Sequence, residues 1–243
     1  MSKQGLRHVG IIMDGNNRWA KQRGLPGVAG HKAGVERIRD VMRACKSLGV
    51  ETLTLFAFSS ENWQRPPKEV EALMSLFLLY LQREAKKLKA EGVALRVVGR
   101  RDRFSPKVLA AIEAAEALTQ GGETTLVIAA DYGGRWDIAE AARQLAQQVV
   151  DGELALADID EDRLNQHTCL ADLPALDLLV RTSGEIRISN FLLWQAAYAE
   201  LYFCDTLWPD FDETAMQLAA EAFYQRQRRF GKTAEQIAEA QGA

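Results

Sequence analysis

Cysteine is scarce in this chain of 243 residues: Cys45, Cys169 and Cys204 stand far apart and form no CxxC pair. That excludes a disulfide framework and a cysteine-based zinc site, and it points to reduced thiols in a cytoplasmic setting. Long apolar runs are missing as well. The longest uninterrupted run of large apolar side chains, Leu76 to Leu81, falls well short of the ~20 residues of a membrane-spanning helix. Met1 to His8 contain no apolar stretch of the kind an export signal needs, so neither export nor an N-terminal anchor is expected. Charge of one sign is lacking too, with 30 basic against 33 acidic side chains and a formal net charge of -3. Such a balance argues against general affinity for nucleic acid, which requires a basic face to neutralise phosphates. Neither a GxxxxGK[ST] loop nor a GxGxxG after a strand is present.

What is present is alternation. Of the residues, 47% are hydrophobic, and short β-branched runs alternate with longer amphipathic ones. This order predicts an α/β fold, a single domain with a mainly parallel central sheet of about six strands flanked by helices. The strand windows are Val9–Met13, Thr52–Phe58, Leu95–Gly99, Thr124–Ala130, Leu178–Thr182 and Leu201–Phe203. The helix windows are about 31–48, 67–91, 105–119, 135–150, 160–167, 189–200 and 212–227. No linker, repeat or low-complexity stretch divides the chain. One domain over 1–243 is expected, with a core of about 8–231 and short flexible termini.

In open parallel sheets ligands bind beyond the carboxyl ends of the strands. Three polar tracts fall there: Asp14 to Trp19 with His31 further on, Ser59 to Pro66, and Arg181 to Asn190. The first joins one carboxylate to a turn whose N–H groups can face an anion, and Arg18 and His31 add donors. The third offers Arg181 and Arg187 with the hydroxyls of Thr182, Ser183 and Ser189. Arginines gathered at one rim of an acidic protein call for a negative ligand. Two anion sites beside one carboxylate suggest two phosphorylated substrates and a divalent metal at Asp14. The second ligand candidates are Glu200, Asp205, Asp210 and Asp212. The window 67–91 is apolar on nearly every side around Leu76 to Leu81, so each of its faces must be covered, either by core or by an apolar ligand.

The stretches HVGIIMDGNNRWAK, GHKAG, LTLFAFSSENWQRP, DYGGRWDI, RTSGEIRISNFLLWQAAYAELYF and WPDF, in this order, resemble the cis-prenyltransferases from about His8 to Gly231. The resemblance implies a cytoplasmic, magnesium-dependent homodimer with a hydrophobic tunnel. It would extend farnesyl diphosphate with successive isopentenyl diphosphate units in cis, giving undecaprenyl diphosphate for cell-wall synthesis. It implies that Asp14 serves catalysis and the metal, with Glu200 as second ligand. Gly15, Asn16, Asn17, Arg18, Trp19 and His31 would surround the allylic diphosphate. Ser59, Ser60, Glu61, Asn62, Trp63 and Arg65 would lie on a loop closing over the substrates, Asn62 positioning groups in the proton-loss step. Arg181, Arg187, Ile188 and Ser189 would hold isopentenyl diphosphate, and Arg229 and Gly231 would reach the partner subunit. Transient membrane contact would accompany product release.

Four residues depart from the family pattern: Asn17 for glycine, Gly27 for arginine, Ile186 for histidine or glutamine, and Asp131 for asparagine. Two alternatives stay open within the same fold. A shorter-chain enzyme would differ only in tunnel depth, and a non-catalytic partner subunit would have lost the first-strand carboxylate.

Overall fold

The computed structural model of the chain describes residues 5–226. Six strands, β1 (His8–Ile12), β2 (Thr52–Ser59), β3 (Val93–Val98), β4 (Thr124–Tyr132), β5 (Leu178–Arg181) and β6 (Glu200–Phe203), form one sheet in the order β3-β4-β2-β1-β5-β6. Every neighbouring pair is parallel. The helices are α1 (Asn16–Gln22), α2 (Gly27–Ser47), α3 (Pro67–Ala90), α4 (Pro106–Thr119), α5 (Gly134–Val150), α6 (Glu161–His167) and α7 (Glu213–Gln225).

Both faces of the sheet are covered, as a parallel sheet with nearly continuous apolar strands requires. Successive residues of β1 show the alternation. Val9 and Ile11 join the core shared with α2, α3, α4 and α7, whereas Ile12 joins a second core with Leu179, Phe191 and Leu192. Proline opens α3 and α4, where a missing N–H costs nothing, and the side chains of Ser105, Asp160 and Asp212 cap α4, α6 and α7.

Three expectations change. A short helix, α1, follows β1 directly, and α2 starts at Gly27 and not near 31. The window 189–200 is not an α-helix: Ser189, Asn190 and Leu192 have positive φ, and only Gln195–Tyr198 makes a 3-10 turn. The reason is the second core, which buries Phe191 and Leu192 completely and recruits Asn190 to the start of α5. Consequently Glu200 lies in a strand and does not end a helix. The strands themselves are within two residues of expectation.

Candidate active site

From β1 the chain passes to β2 on one side of the sheet, while β5 lies on the other side of β1. The crevice beyond the carboxyl ends of β1 and β5 is therefore the switch point where parallel sheets bind ligands. Asp14 follows β1, and Arg181 ends β5. Arg181 is 4% exposed and donates from Nη2 to Asp14 Oδ2 at 2.9 Å, and from Nη1 to the Arg187 carbonyl at 2.6 Å and Ser189 Oγ at 2.7 Å. One buried guanidinium thus joins the first tract to the third.

The Asp14 turn is held from four sides. Its N–H donates to Thr182 Oγ1 at 2.9 Å, and its carbonyl accepts from Trp208 N at 3.0 Å. Gly15 N donates to Asp14 Oδ1 at 2.7 Å. Gly15 has φ 105, and a Cβ there would stand 2.8 Å from Leu207 and 3.0 Å from Ser183, so this position takes glycine on both counts. Burial pushes the Asp14 carboxyl up, but Arg181, the Gly15 N–H and Arg18 together hold it below the usual carboxylate range. It is an anion at neutral pH. Arg18 bonds Ser183 Oγ and lies 3.9 Å from Asp14, and Arg187 pairs with Glu185 at the exposed edge.

Beneath this rim is a chamber of about 700 Å³. Asp14, Asn16, His31, Ser59, Glu61, Asn62, Arg65, Arg181 and Ser189 line its mouth, and Ile38, Phe56, Leu73, Met74, Phe77 and Tyr80 line its depth. The all-round apolar helix is thereby accounted for. One side of α3 packs into the core through Leu81, Ala85 and Leu88, another side walls the chamber, and Leu79 is left to solvent. Several buried polar atoms at the mouth have no hydrogen-bond partner, namely Asn16 Oδ1, His31 Nε2 and Arg181 Nε. Such groups cost free energy unless a ligand satisfies them. Burial, together with Arg65, lowers the His31 pKa against the pull of Glu69, so the ring is neutral near pH 7.

Not every expected residue faces the chamber. The Trp19 indole turns away, donating to Asp210 Oδ1 at 2.7 Å beneath the guanidinium of Arg23. Ile188 packs into the second core, and Trp63 lines a neighbouring cleft. Asn62 uses its side-chain oxygen locally, accepting from Ser59 N at 3.0 Å, which suits positioning and not proton abstraction. Glu200 pairs with Leu178, which pairs with Val9, so it sits some five residues short of Asp14 along the strands, roughly 16 Å at 3.3 Å per residue. Its carboxylate bonds Arg226 at 2.9 Å. A single cation cannot reach both Glu200 and Asp14 of the same chain. Arg229 and Gly231 lie outside the described residues.

Two contributors escaped the sequence reading. Arg135 lines the chamber at the start of α5, and Asn190 connects three parts of the rim. Asn190 donates to Glu61 at 2.8 Å, and its Oδ1 and carbonyl accept from Arg135 N and Gly134 N. Asn190 ends the third polar tract, but nothing local signals that its backbone turns to φ 64. Two departures also prove to be neighbours: a Cβ at Gly27 would come within 2.5 Å of Asn17 Oδ1, the end of an exposed side chain that can turn aside.

A parallel α/β protein with an arginine-bridged polar rim at its switch point over an apolar chamber is the class this fold and site define. Comparison with known proteins narrows it. Residues 12–231 match the family described as "Putative undecaprenyl diphosphate synthase", and the chain belongs to that family. It is 59% identical over 232 residues to the Pseudomonas aeruginosa ditrans,polycis-undecaprenyl-diphosphate synthase specific for (2E,6E)-farnesyl diphosphate, covering 95% of this chain and 92% of that one. Identity to the Escherichia coli K12 enzyme of the same description is 54%, over 94% and 91% of the two chains. Among solved structures, lavandulyl diphosphate synthase from Lavandula x intermedia in complex with dimethylallyl diphosphate superposes with TM-score 0.89 at 37% identity, over 93% and 98% of the chains. A probable undecaprenyl diphosphate synthase from Campylobacter jejuni gives 0.79 at 32%, over 94% and 100%.

Proposed function

We propose that the chain condenses farnesyl diphosphate with successive isopentenyl diphosphate units in cis configuration to give undecaprenyl diphosphate. The observation that carries this reading is the pairing of an arginine-bridged double anion rim with an apolar chamber directly below it. In each cycle the allylic C–O bond breaks, diphosphate leaves, the isopentenyl double bond attacks the allylic carbon, and a proton departs from the condensed cation. Negative charge grows on the leaving diphosphate. Arg18, the N–H groups after Asp14 and the His31 ring are the groups aimed at it, and preorganised donors of this kind lower the barrier. Arg181, Arg187 and Ser189 orient the second diphosphate so that its carbon chain points toward the allylic carbon. The chamber holds hydrocarbon away from water, at about 0.8 kcal/mol for each CH₂ buried, which retains intermediates between cycles.

Magnesium fits this donor set. Asp14 is anionic, accepts one hydrogen bond at each oxygen, from Gly15 N and Arg181 Nη2, and lines the chamber. Among the described residues no cluster of three or more acidic, histidine or cysteine groups exists, which suits a cation bound by one carboxylate and substrate oxygens. When bound it would neutralise charge on the leaving diphosphate. Glu200 serves that cation only if it comes from a second copy. The exposed edge strand β6, with Tyr198 and Leu201 open to solvent, supports a homodimer that supplies it. Among the described residues no helix is long and apolar enough to cross a membrane, and we take the enzyme to act in the cytoplasm with brief membrane contact at product release.

Incubation with farnesyl diphosphate, labelled isopentenyl diphosphate and magnesium, followed by sizing of the extracted lipid, tests the reading. The expected product has eleven isoprene units, and chelation of the metal stops its formation. A shorter product would assign the chain to a shorter-chain enzyme, and no product would refute the activity.

A further inference from the structure

The segment Ser59–Arg65 brings Glu61, Asn62 and Arg65 to the mouth of the chamber, yet much of it is lightly held. Glu61 and Gln64 are exposed, and Asn190 ties Glu61 to the rim. Its deepest anchor is Trp63. The indole meets Phe58 edge-on at 5.2 Å and lies 6.3 Å from Phe104, and the guanidinium carbon of Arg103 sits 5.3 Å from its ring. Arg103 is itself fixed in place. Its Nε and Nη2 donate to Asp131 Oδ2 and Oδ1 at 3.0 and 2.7 Å, a planar two-bond fork. Asp131 is fully buried at the end of β4 with φ 52. A buried carboxylate deprived of its cation is strongly destabilising, so the two remain together. This is also a position where the chain departs from the family's asparagine.

We propose that Arg103, gripped by Asp131, is a positioning residue for the condensation, setting through the face of Trp63 where Glu61, Asn62 and Arg65 stand over the bound diphosphates. The inference rests on the activity proposed above. Arg103 does not line the chamber, and the indole N–H of Trp63 also interacts with the Asp131 carboxyl, so the Arg103–Asp131 pair acts as a unit through the indole. The carboxylate matters because it offers the fork two acceptors and a full opposite charge, where an asparagine offers one neutral acceptor. Trp63 is half-buried and the Arg103 side chain keeps about a third of its surface in water, so the cation–π contact is of the partly exposed kind and the Asp131 fork is what fixes the guanidinium.

The test uses the full chain labelled with fluorotryptophan, whose five tryptophans report separately by fluorine NMR, Trp63 being assigned by its loss in Trp63→Phe. The double variant Arg103→Met with Asp131→Asn removes the cation without leaving a buried orphan charge. We expect a Tm close to wild type, farnesyl diphosphate binding within about twofold, a displaced Trp63 signal, and kcat lowered about tenfold, since small misplacement of reacting groups is costly. Arg103→Lys, which keeps the charge and loses the fork, should fall between the two. An unmoved Trp63 signal overturns the proposal, as does a kcat within twofold of wild type, or a loss of farnesyl binding that matches the loss in kcat. If the double variant does not fold, Arg103→Lys decides by the same criteria. Should the wild type make no product, the fluorine signal still reads Trp63 placement, so that failure is distinguishable from failure of this proposal.

Discussion

The two ends of the parallel sheet bury polar groups to opposite effect. At the amino end His8 is 1% exposed, and both ring nitrogens are engaged, Nδ1 with the Pro174 carbonyl at 2.7 Å and Nε2 with Thr54 Oγ1 at 2.8 Å. Asp177 accepts there from the N–H groups of Arg7 and His8 at 2.9 and 3.1 Å. At the carboxyl end, buried atoms of Asn16, His31 and Arg181 lack partners, and Gly15, Asp131, Ser183, Ser189 and Asn190 all have positive φ. Burial of a charge or an imidazole is therefore no mark of a site. What marks it is polar atoms left unmatched on a backbone held in costly conformations, because only a ligand then completes the hydrogen bonding.

That contrast can be broken by exchange at either end. The largest effect belongs to Asp14→Ala, which should lower condensation about 10³-fold in a chain that still folds, with Tm reduced because the buried Arg181 loses its carboxylate partner; substrate turnover and a melting curve check it, and unchanged turnover would remove Asp14 from the chemistry. At the other end His8→Leu leaves Thr54 and the Pro174 carbonyl without their partner. A stability loss of about 1–3 kcal/mol with kcat unaltered is expected from urea unfolding and steady-state rates. Arg187→Ala should raise the KM for isopentenyl diphosphate about tenfold and barely move that for farnesyl diphosphate. Equal shifts in both would merge the two anion sites into one.

The smallest effect is on pH. Burial holds the His8 imidazole below its ordinary value of 6.5, against the pull of Pro174 and Asp177. The unfolded chain then binds a proton there more readily than the folded one. Stability is fully present above the unfolded value and declines as pH falls from 6.5 toward the lower folded value. Unfolding free energies measured between about pH 8 and pH 5 should fall less steeply in His8→Leu than in wild type. A parallel slope would mean that His31, whose pKa is lowered for the same reason, carries the dependence.

Much of this could be read in advance. Apolar strands alternating with amphipathic helices imply a parallel sheet, and the rule that ligands bind beyond its carboxyl ends selected the three tracts that do converge. The window 189–200 could not be read, because its apolar residues match a helical face as well as they match the buried irregular turn that Phe191 and Leu192 make. Glu200 illustrates the same limit. Its acidity in an apolar neighbourhood is visible in the chain, but its level on the sheet depends on the pairing of β6 with β5. Arg103 and Asp131 lie 28 residues apart and carry no shared motif, and the bond from Arg135 N to Asn190 at the start of α5 joins residues 55 apart.

The sequence by itself determined the layering, the polar tracts at the strand ends and the apolar surplus on α3, since hydrophobic period and turn chemistry are local properties of the chain. The tertiary structure alone decided which of those groups meet: that Arg181 spans Asp14 and Ser189, that α3 turns one face to a chamber, that Trp19 and Glu200 point elsewhere, and that Trp63 rests on Arg103. Strand order and register set those meetings, and both follow from packing the whole core at once.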